Sequence, residues 1–418
     1  MSDDDLTGQL TRTLTRYADD MAGPSLPLAQ VQGRARSIRR RRTAGAVVGA
    51  AAAVAVVVPT LALATHGGGH RTEPLPSTQN TTSQTPSPSQ SGVVRAPLDV
   101  RGLPLGDAPA DGYLVGRTLH LPNGSTTRIT TAAPVDAYVT LSDDTIVLHT
   151  RDAGGATAVE VIDSHGDHHG PYPATDGVVV DANHAAAGWV GTDGHPYFWN
   201  EAATKPDRSD AQVSGGSFEA RALADTCDSG GTSPDCAMLV RTTAPSTGKA
   251  TDWLASLSPG DDTVQRAAPD RRFVGLTDLS YDGREIGLTR ITDTGSCSGV
   301  AAGAAPVTWK TCRHTLLAFS PRGSYLSADV NFHSGLGSSV FAAYDYLGHQ
   351  VFEYRSRLSV QATVTRSVWE DDAHVLAIVY QDGRWYVVRF GVDGSRELAA
   401  GPLRGNDVDA PVVVPGAR

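Results

Sequence analysis

The sequence predicts an all-β domain assembled from repeated four-stranded units, preceded by one membrane-crossing helix and a disordered linker. Three observations predict it. Residues 43–65 form a run of 23 without a charged side chain. Residues 66–95 are mostly Ser, Thr, Pro, Gln and Gly. From residue 96 onward, short runs of Val, Ile, Leu, Tyr, Phe and Trp alternate with Asp-Gly, Asn-Gly and Pro-x-Gly turns, with no sustained helical period. Charge divides along the same lines: net +3 over residues 1–42, zero over 43–65 and −13 over 66–418, within a total of −10. The average composition excludes a collagen-like chain, and a mean hydropathy of −0.21 excludes a polytopic membrane protein.

Residues 1–42 read as a short cytoplasmic segment. Leu6, Leu10, Leu14 and Tyr17 share one helical face. Asp3, Asp4 and Asp5 suit the N-terminal dipole of an amphipathic helix, and Gly23-Pro24 would stop it. Such a helix would lie on the membrane surface or dock a cytosolic partner.

The next 23 residues, 43–65, are long enough to span, because a helix rising ~1.5 Å per residue crosses the hydrocarbon in about 20 residues. Arg34, Arg36, Arg39, Arg40, Arg41 and Arg42 stand immediately before the run. Basic residues at the end of a span stay on the cytoplasmic side, so the expectation is a plasma-membrane protein with its N-terminus cytoplasmic and its large C-terminal domain extracytoplasmic. Because the apolar span accounts for the Arg cluster, no nucleic-acid partner is expected. The alternative is secretion after cleavage following Ala64, since Ala62-Leu63-Ala64 has the small-x-small form of a cleavage site. Against it stand a basic region of 42 residues and an apolar run longer than the about 7 to 15 usual in a signal peptide.

The linker, 66–95, has too little apolar surface to offset chain entropy. On random-coil scaling it would hold the following domain roughly 30 Å from the bilayer.

Residues 96–418 carry the repeat. Its clearest unit, 359–400, reads strand, turn, strand, Asp382-Gly383 turn, strand, Gly394 turn, strand. Four hairpin-linked strands make one blade of a β-propeller. Gly166, Gly348 and Gly394 fall at the same point between two strands, and Asp193-Gly194 aligns with Asp382-Gly383. LSDD at Leu141, LSYDG at Leu279 and FSPRG at Phe319 share a turn that leads into an apolar strand. Blades are expected at 112–130, 136–172, 177–208, 217–268, 273–312, 314–356 and 361–402. Seven is the count that fits best, with six and eight left open and a pair of β-sandwiches as the competing fold. The first unit is short, so the run from Ala410 to Val414 is expected to supply its missing outer or inner strand and close the ring.

Ser320-Pro321-Arg322-Gly323-Ser324-Tyr325-Leu326 and Ser280-Tyr281-Asp282-Gly283-Arg284-Glu285-Ile286 resemble the S-P-D-G-K-x-L signature of WD-repeat and TolB-type propellers over roughly residues 110–402. Arg322 replaces the usual Asp, and no Trp-Asp dipeptide ends a blade. With 32 Arg against three Lys in a Gly- and Ala-rich chain, the N-terminal piece also resembles the inner segments of actinobacterial membrane proteins associated with sigma-factor control. It departs from their zinc-binding form, because residues 1–42 contain neither Cys nor His.

Four cysteines permit three pairings. Proximity favours Cys227 with Cys236 and Cys297 with Cys312 as disulfides that tie down inter-strand loops, and neither pair has zinc spacing. The densest polar cluster, Asp163, His165, Asp167, His168 and His169, falls on the turn around Gly166 and reads as a solvent-facing loop. No metal site or cofactor is expected. The chain has no G-x-S-x-G elbow, phosphate-binding loop or H-E-x-x-H, and paired carboxylates such as Asp143-Asp144 and Asp371-Asp372 sit at turns. No catalytic residue is therefore assigned. The reading is a membrane-anchored, non-enzymatic propeller that binds or scaffolds an unknown protein or cell-envelope ligand, with a signalling role for residues 1–42 also open. The alternative is an exported hydrolase or lyase with its site in the propeller channel.

Overall fold

The computed structural model describes residues 92–416, apart from 202, 225–226, 228–235, 269–271, 293–294, 304 and 331–336. The segments expected to be cytoplasmic (1–42) and membrane-spanning (43–65), and the expected linker up to residue 91, lie outside the described residues. Among the described residues there is no helix, so none is long and apolar enough to cross a membrane.

The described residues fold into seven sheets, each built on four antiparallel strands and numbered here as blades, one of which carries a fifth strand. Blades 2 to 7 occupy residues 135–174, 179–208, 217–266, 275–311, 314–355 and 363–403. Their limits differ from those expected by at most two residues at either end. In each, the chain runs from the channel outward through consecutive hairpins. Blade 1 is composite. Tyr113–Val115, Thr118–His120 and Thr126–Arg128 supply its outer three strands, and Val412–Val413 supplies the innermost. The short C-terminal strand pairs Val413 with Leu114 and Val412 with Val115, which settles the inner-or-outer question and closes the ring.

The core lies between the blades. Seven apolar clusters occur, one for each pair of neighbouring blades. Period-two alternation makes this possible, because successive side chains on a strand face opposite sides of the sheet. In the second strand of blade 7, His374–Gln381, Val375, Ala377 and Val379 pack toward blade 6, whereas Leu376 and Ile378 pack toward blade 1. The closing interface holds Trp385, Ile378, Val387 and Val412, and the interface after it holds Leu114, Tyr138 and Leu148. Arg366, on the first strand of blade 7, clamps the closure by donating to the carbonyls of Gly416 and Asp136.

Composition placed the linker boundary at 95, but Val94 and Arg95 already belong to a strand. Val94–Pro97 adds in parallel to Gln350–Arg355, the outermost strand of blade 6. Leu98 and Val100 then enter the cluster between blades 6 and 7. The Gln381 side chain accepts the Val100 amide and donates to Asp99. Leu105 bridges Leu398 on the outer edge of blade 7. Residues 94–111 thus form a strap across two blades.

Candidate functional site

The innermost strand of each blade faces the channel, and those of blades 2 to 7, with Pro415 and Gly416 just beyond the innermost strand of blade 1, line one cavity of about 290 Å³ where the strands end. The turns that follow the inner strands of blades 3, 5, 6 and 7 line this mouth, and blade 2 has a turn of the same kind. Their hydrogen bonds explain why they repeat. Leu141 and Ser280 each bond through N–H to the carbonyl four residues on, and each accepts at its own carbonyl the N–H three residues on. Asp181 and Ser320 follow the same pattern with one extra residue. The fourth turn residue takes positive φ in each case: Asp144, His184, Gly283 and Gly323, at 69°, 57°, 75° and 65°. Leu141, and not Ser142, is therefore the counterpart of Ser280, so blade 2 is offset by one residue from the LSDD/LSYDG alignment.

The cavity wall is largely apolar, with Val139, Val180, Leu223, Leu279, Phe319 and Trp369 on it. Four carboxylates interrupt it at Asp111, Asp181, Asp278 and Glu370, together with Arg221 and His184. Glu370 is buried and neutralised: Arg389 donates Nη2 to it at 2.8 Å, and the Ala110 amide donates at 2.7 Å. Arg389 also reaches Glu397 and the carbonyls of Asp107 and Ala108, which pins the strap to the mouth. Asp181 is 1% exposed, and its Oδ1 accepts the amides of Ala185 and Ala186 at 2.7 and 3.0 Å. No hydrogen bond of ordinary geometry reaches its Oδ2. Burial raises its proton affinity against the amides of Ala186, Ala185 and Cys227. Burial likewise raises Asp111, with Glu370 and Asp144 adding like charge. Asp278 accepts the Phe319 amide at 2.7 Å, and burial pushes its carboxyl up to about 7 despite the nearby Arg221. Arg221 is itself tied to Glu219 at 2.9 Å.

Both cysteine pairs are disulfides. Cys227–Cys236 closes the hairpin between the first two strands of blade 4, with Cα atoms 5.2 Å apart. Cys297–Cys312 ties the third strand of blade 5 to the residue that follows its fourth, next to the paired Ser298 and Thr311, with Cα atoms 4.0 Å apart. The Asp163 cluster is a turn. Asp163 Oδ1 accepts the amides of His165 and Asp167, and its Oδ2 meets His169 Nε2 at 2.9 Å. That histidine bond holds the Asp163 carboxyl down at about 2. Asp345 repeats the device in blade 6, with amides of Leu347 and His349 on Oδ1 and His349 Nδ1 on Oδ2. Among the described residues no three His, Cys, Asp or Glu side chains come together as a metal would require. Sequence reasoning missed Asp111, Asp181, Asp278 and Arg221. Asp181 alone carried a signal, because it occupies the position of Ser280 in the repeated turn.

No protein-family model matches the chain, and no curated protein matches it. Among solved structures, it is similar to the β-propeller domain of the trilobed protease from Pyrococcus furiosus, at 9% identity and a TM-score of 0.42, covering 64% of this chain and 84% of that one. It is similar to the Cps50 (Swd1) β-propeller domain of Myceliophteria thermophila at 10% identity and a TM-score of 0.43, covering 66% and 88%. The Dos1 propeller gives 10% identity and a TM-score of 0.40, covering 71% and 74%. At this identity the likeness is one of fold alone.

Proposed function

We propose that the protein is a membrane-anchored, extracytoplasmic binding module whose contact surface is the channel mouth. The observation that carries the binding part is the cavity itself, a concave site with apolar walls and a few polar groups, lined in part by the turns of blades 3, 5, 6 and 7. The anchoring part rests on the uncharged run 43–65 behind its Arg cluster. The two disulfides fit an oxidising compartment. The test places a photo-crosslinking side chain in the full-length protein in intact cells, either at Tyr281 on the mouth or at Asp207 on the outer edge of blade 3. A discrete adduct is expected from Tyr281 alone, and protease added outside should remove everything beyond the linker. Equal adducts from both positions, none from Tyr281, or a protected domain would each overturn the proposal.

One observation favours the alternative, an exported hydrolase or lyase. Three carboxyls of raised proton affinity share the cavity with His184, an arrangement common at catalytic sites. Binding remains the better reading because, among the described residues, His184 Nδ1 bonds the Thr140 carbonyl at 2.9 Å and no hydrogen bond joins the His184 ring to a serine hydroxyl.

A further inference from the structure

We propose that the face of the propeller opposite the mouth docks on an anionic phospholipid surface, inserting Ile291 and Leu358 among headgroups that pair with Arg290, Arg313, Arg355 and Arg357. Strand direction puts these residues on one face. The innermost strands of blades 5 and 6, Gly275–Leu279 and His314–Phe319, both end at the mouth, so Val274 and Arg313, which precede them, stand at the far end. The second strand of blade 5, Arg284–Thr292, runs back from the mouth and carries Arg290 and Ile291 to the same end. Arg355 ends the strand Gln350–Arg355 of blade 6, and Arg357 and Leu358 lie in the connection that leads to the start of blade 7. The patch is continuous. Ser296 Oγ and Thr315 Oγ1 meet at 2.8 Å between blades 5 and 6, and Arg313 and Arg355 both reach Glu353, at 2.6 and 3.1 Å. Arg290 pairs across strands with Cys297, and Cys312 precedes Arg313, so one disulfide fixes the spacing of two of the arginines.

Two observations choose the partner. The first is charge. The chain beyond residue 65 is acidic overall, yet this face is basic. The described acids beside the four arginines, Glu353 and Asp329, are 5% and 7% exposed. Arg290 and Arg357 are exposed, and among the described residues no ion pair engages either. Guanidinium groups held outward match phosphate oxygens. The second is the apolar part. Leu358, Val274 and Ile291 are 96%, 61% and 59% exposed. All three are aliphatic, whereas the exposed aromatic residues among those described, Tyr281 and Tyr346, stand on the mouth face. Protein interfaces gather aromatic anchors in a packed centre, but aliphatic tips set among basic groups suit the boundary between headgroups and acyl chains. A domain docked in this way turns its mouth away from the bilayer.

The test places a photo-crosslinking side chain at Leu358, at Ile291 or, on the mouth face, at Leu347. The full chain is mixed with nanodiscs of phosphatidylglycerol and phosphatidylcholine in equal parts, and phospholipid adducts are identified by mass. Adducts are expected from Leu358 and Ile291 and not from Leu347. Arg357→Gln and Arg290→Gln, both at exposed positions, should each lower the Leu358 yield by up to about fivefold, and nanodiscs of phosphatidylcholine alone should lower it further. With poly-glutamate added, the adducts should stay on lipid. Transfer of the Leu358 adduct to poly-glutamate would assign the face to an acidic polypeptide and overturn the inference. Equal adducts from Leu347, a yield unchanged in phosphatidylcholine alone or in both arginine variants, or no lipid adduct at either position would overturn it as well. The Tyr281 crosslink is read on the other face and can survive each of these results, so failure here is distinguishable from failure of the broader proposal.

Discussion

His314 and Asp278 are both desolvated by the fold, and burial acts on them in opposite senses. His314, on the first strand of blade 6, bonds through Nδ1 to the Tyr344 hydroxyl at 2.6 Å. Burial depresses it to about 4 in spite of the nearby Glu353. The unfolded chain therefore takes up this proton first. The stability linked to neutral His314 is complete above about 6.5 and is lost as pH falls toward 4, by up to about 1.4 kcal/mol per pH unit. Asp278, with its proton affinity raised, costs stability as pH rises from its unfolded value toward 7. His314→Gln should accordingly show a smaller fall in Tm than wild type between pH 7 and pH 4.5, measured by differential scanning calorimetry. Parallel curves would mean that His314 is charged in the folded state. Neither group stood out in the sequence, because a single His or Asp in a strand says nothing about what the neighbouring blade places over it.

Elements were more legible than sites, because turn chemistry is local. Gly166, Gly348 and Gly394 do share one turn, each with φ near +90° and each donating its N–H to the carbonyl three residues before it. Asp382 and Gly383 both take positive φ, at 51° and 75°, the requirement of a two-residue hairpin turn of the primed type. Asp193-Gly194 looked equivalent by alignment, yet only Gly194 has positive φ, and its turn closes from Gly191 to His195. The strap 94–111 was invisible, since its partners lie about 250 to 300 residues away in the chain. Its main anchor is Arg389. Arg389→Met should leave Glu370 buried without its charge partner and cost about 3 to 5 kcal/mol in urea unfolding. Amide exchange should rise across 105–111. Unchanged exchange there would show that the strap holds without Arg389.

At the scale of the whole ring, closure depends on very little. The innermost strand of blade 1 is two residues long, and beyond it Arg366 donates to Gly416 while the Gly416 amide donates to the Tyr138 carbonyl. Truncation after Asp409 should unpair Leu114 and Val115, open the interfaces on both sides of blade 1 and remove Pro415 and Gly416 from the mouth. Limited proteolysis should then cut first within 113–128, with a broadened thermal transition. A sharp transition at the wild-type Tm would show that the other six blades hold the ring alone.

The sequence by itself determined the all-β class, a blade count best fitted by seven with six and eight left open, and the completion of the first blade by the C-terminal run. Each follows from local rules: alternation of apolar residues, glycines where φ must be positive, and a first repeat one strand short. It also paired Cys227 with Cys236 and Cys297 with Cys312, because hairpins bring nearby positions together. Only the tertiary structure decided that Val412–Val413 is the inner strand, that residues 94–111 strap blades 6 and 7, and that Asp111, Asp181 and Asp278 converge on one cavity. Those acids come from three distant stretches of chain, and the ring brings them together at the mouth. Their raised proton affinity comes from the blades packed around them, a property of burial that no residue carries in its own sequence neighbourhood.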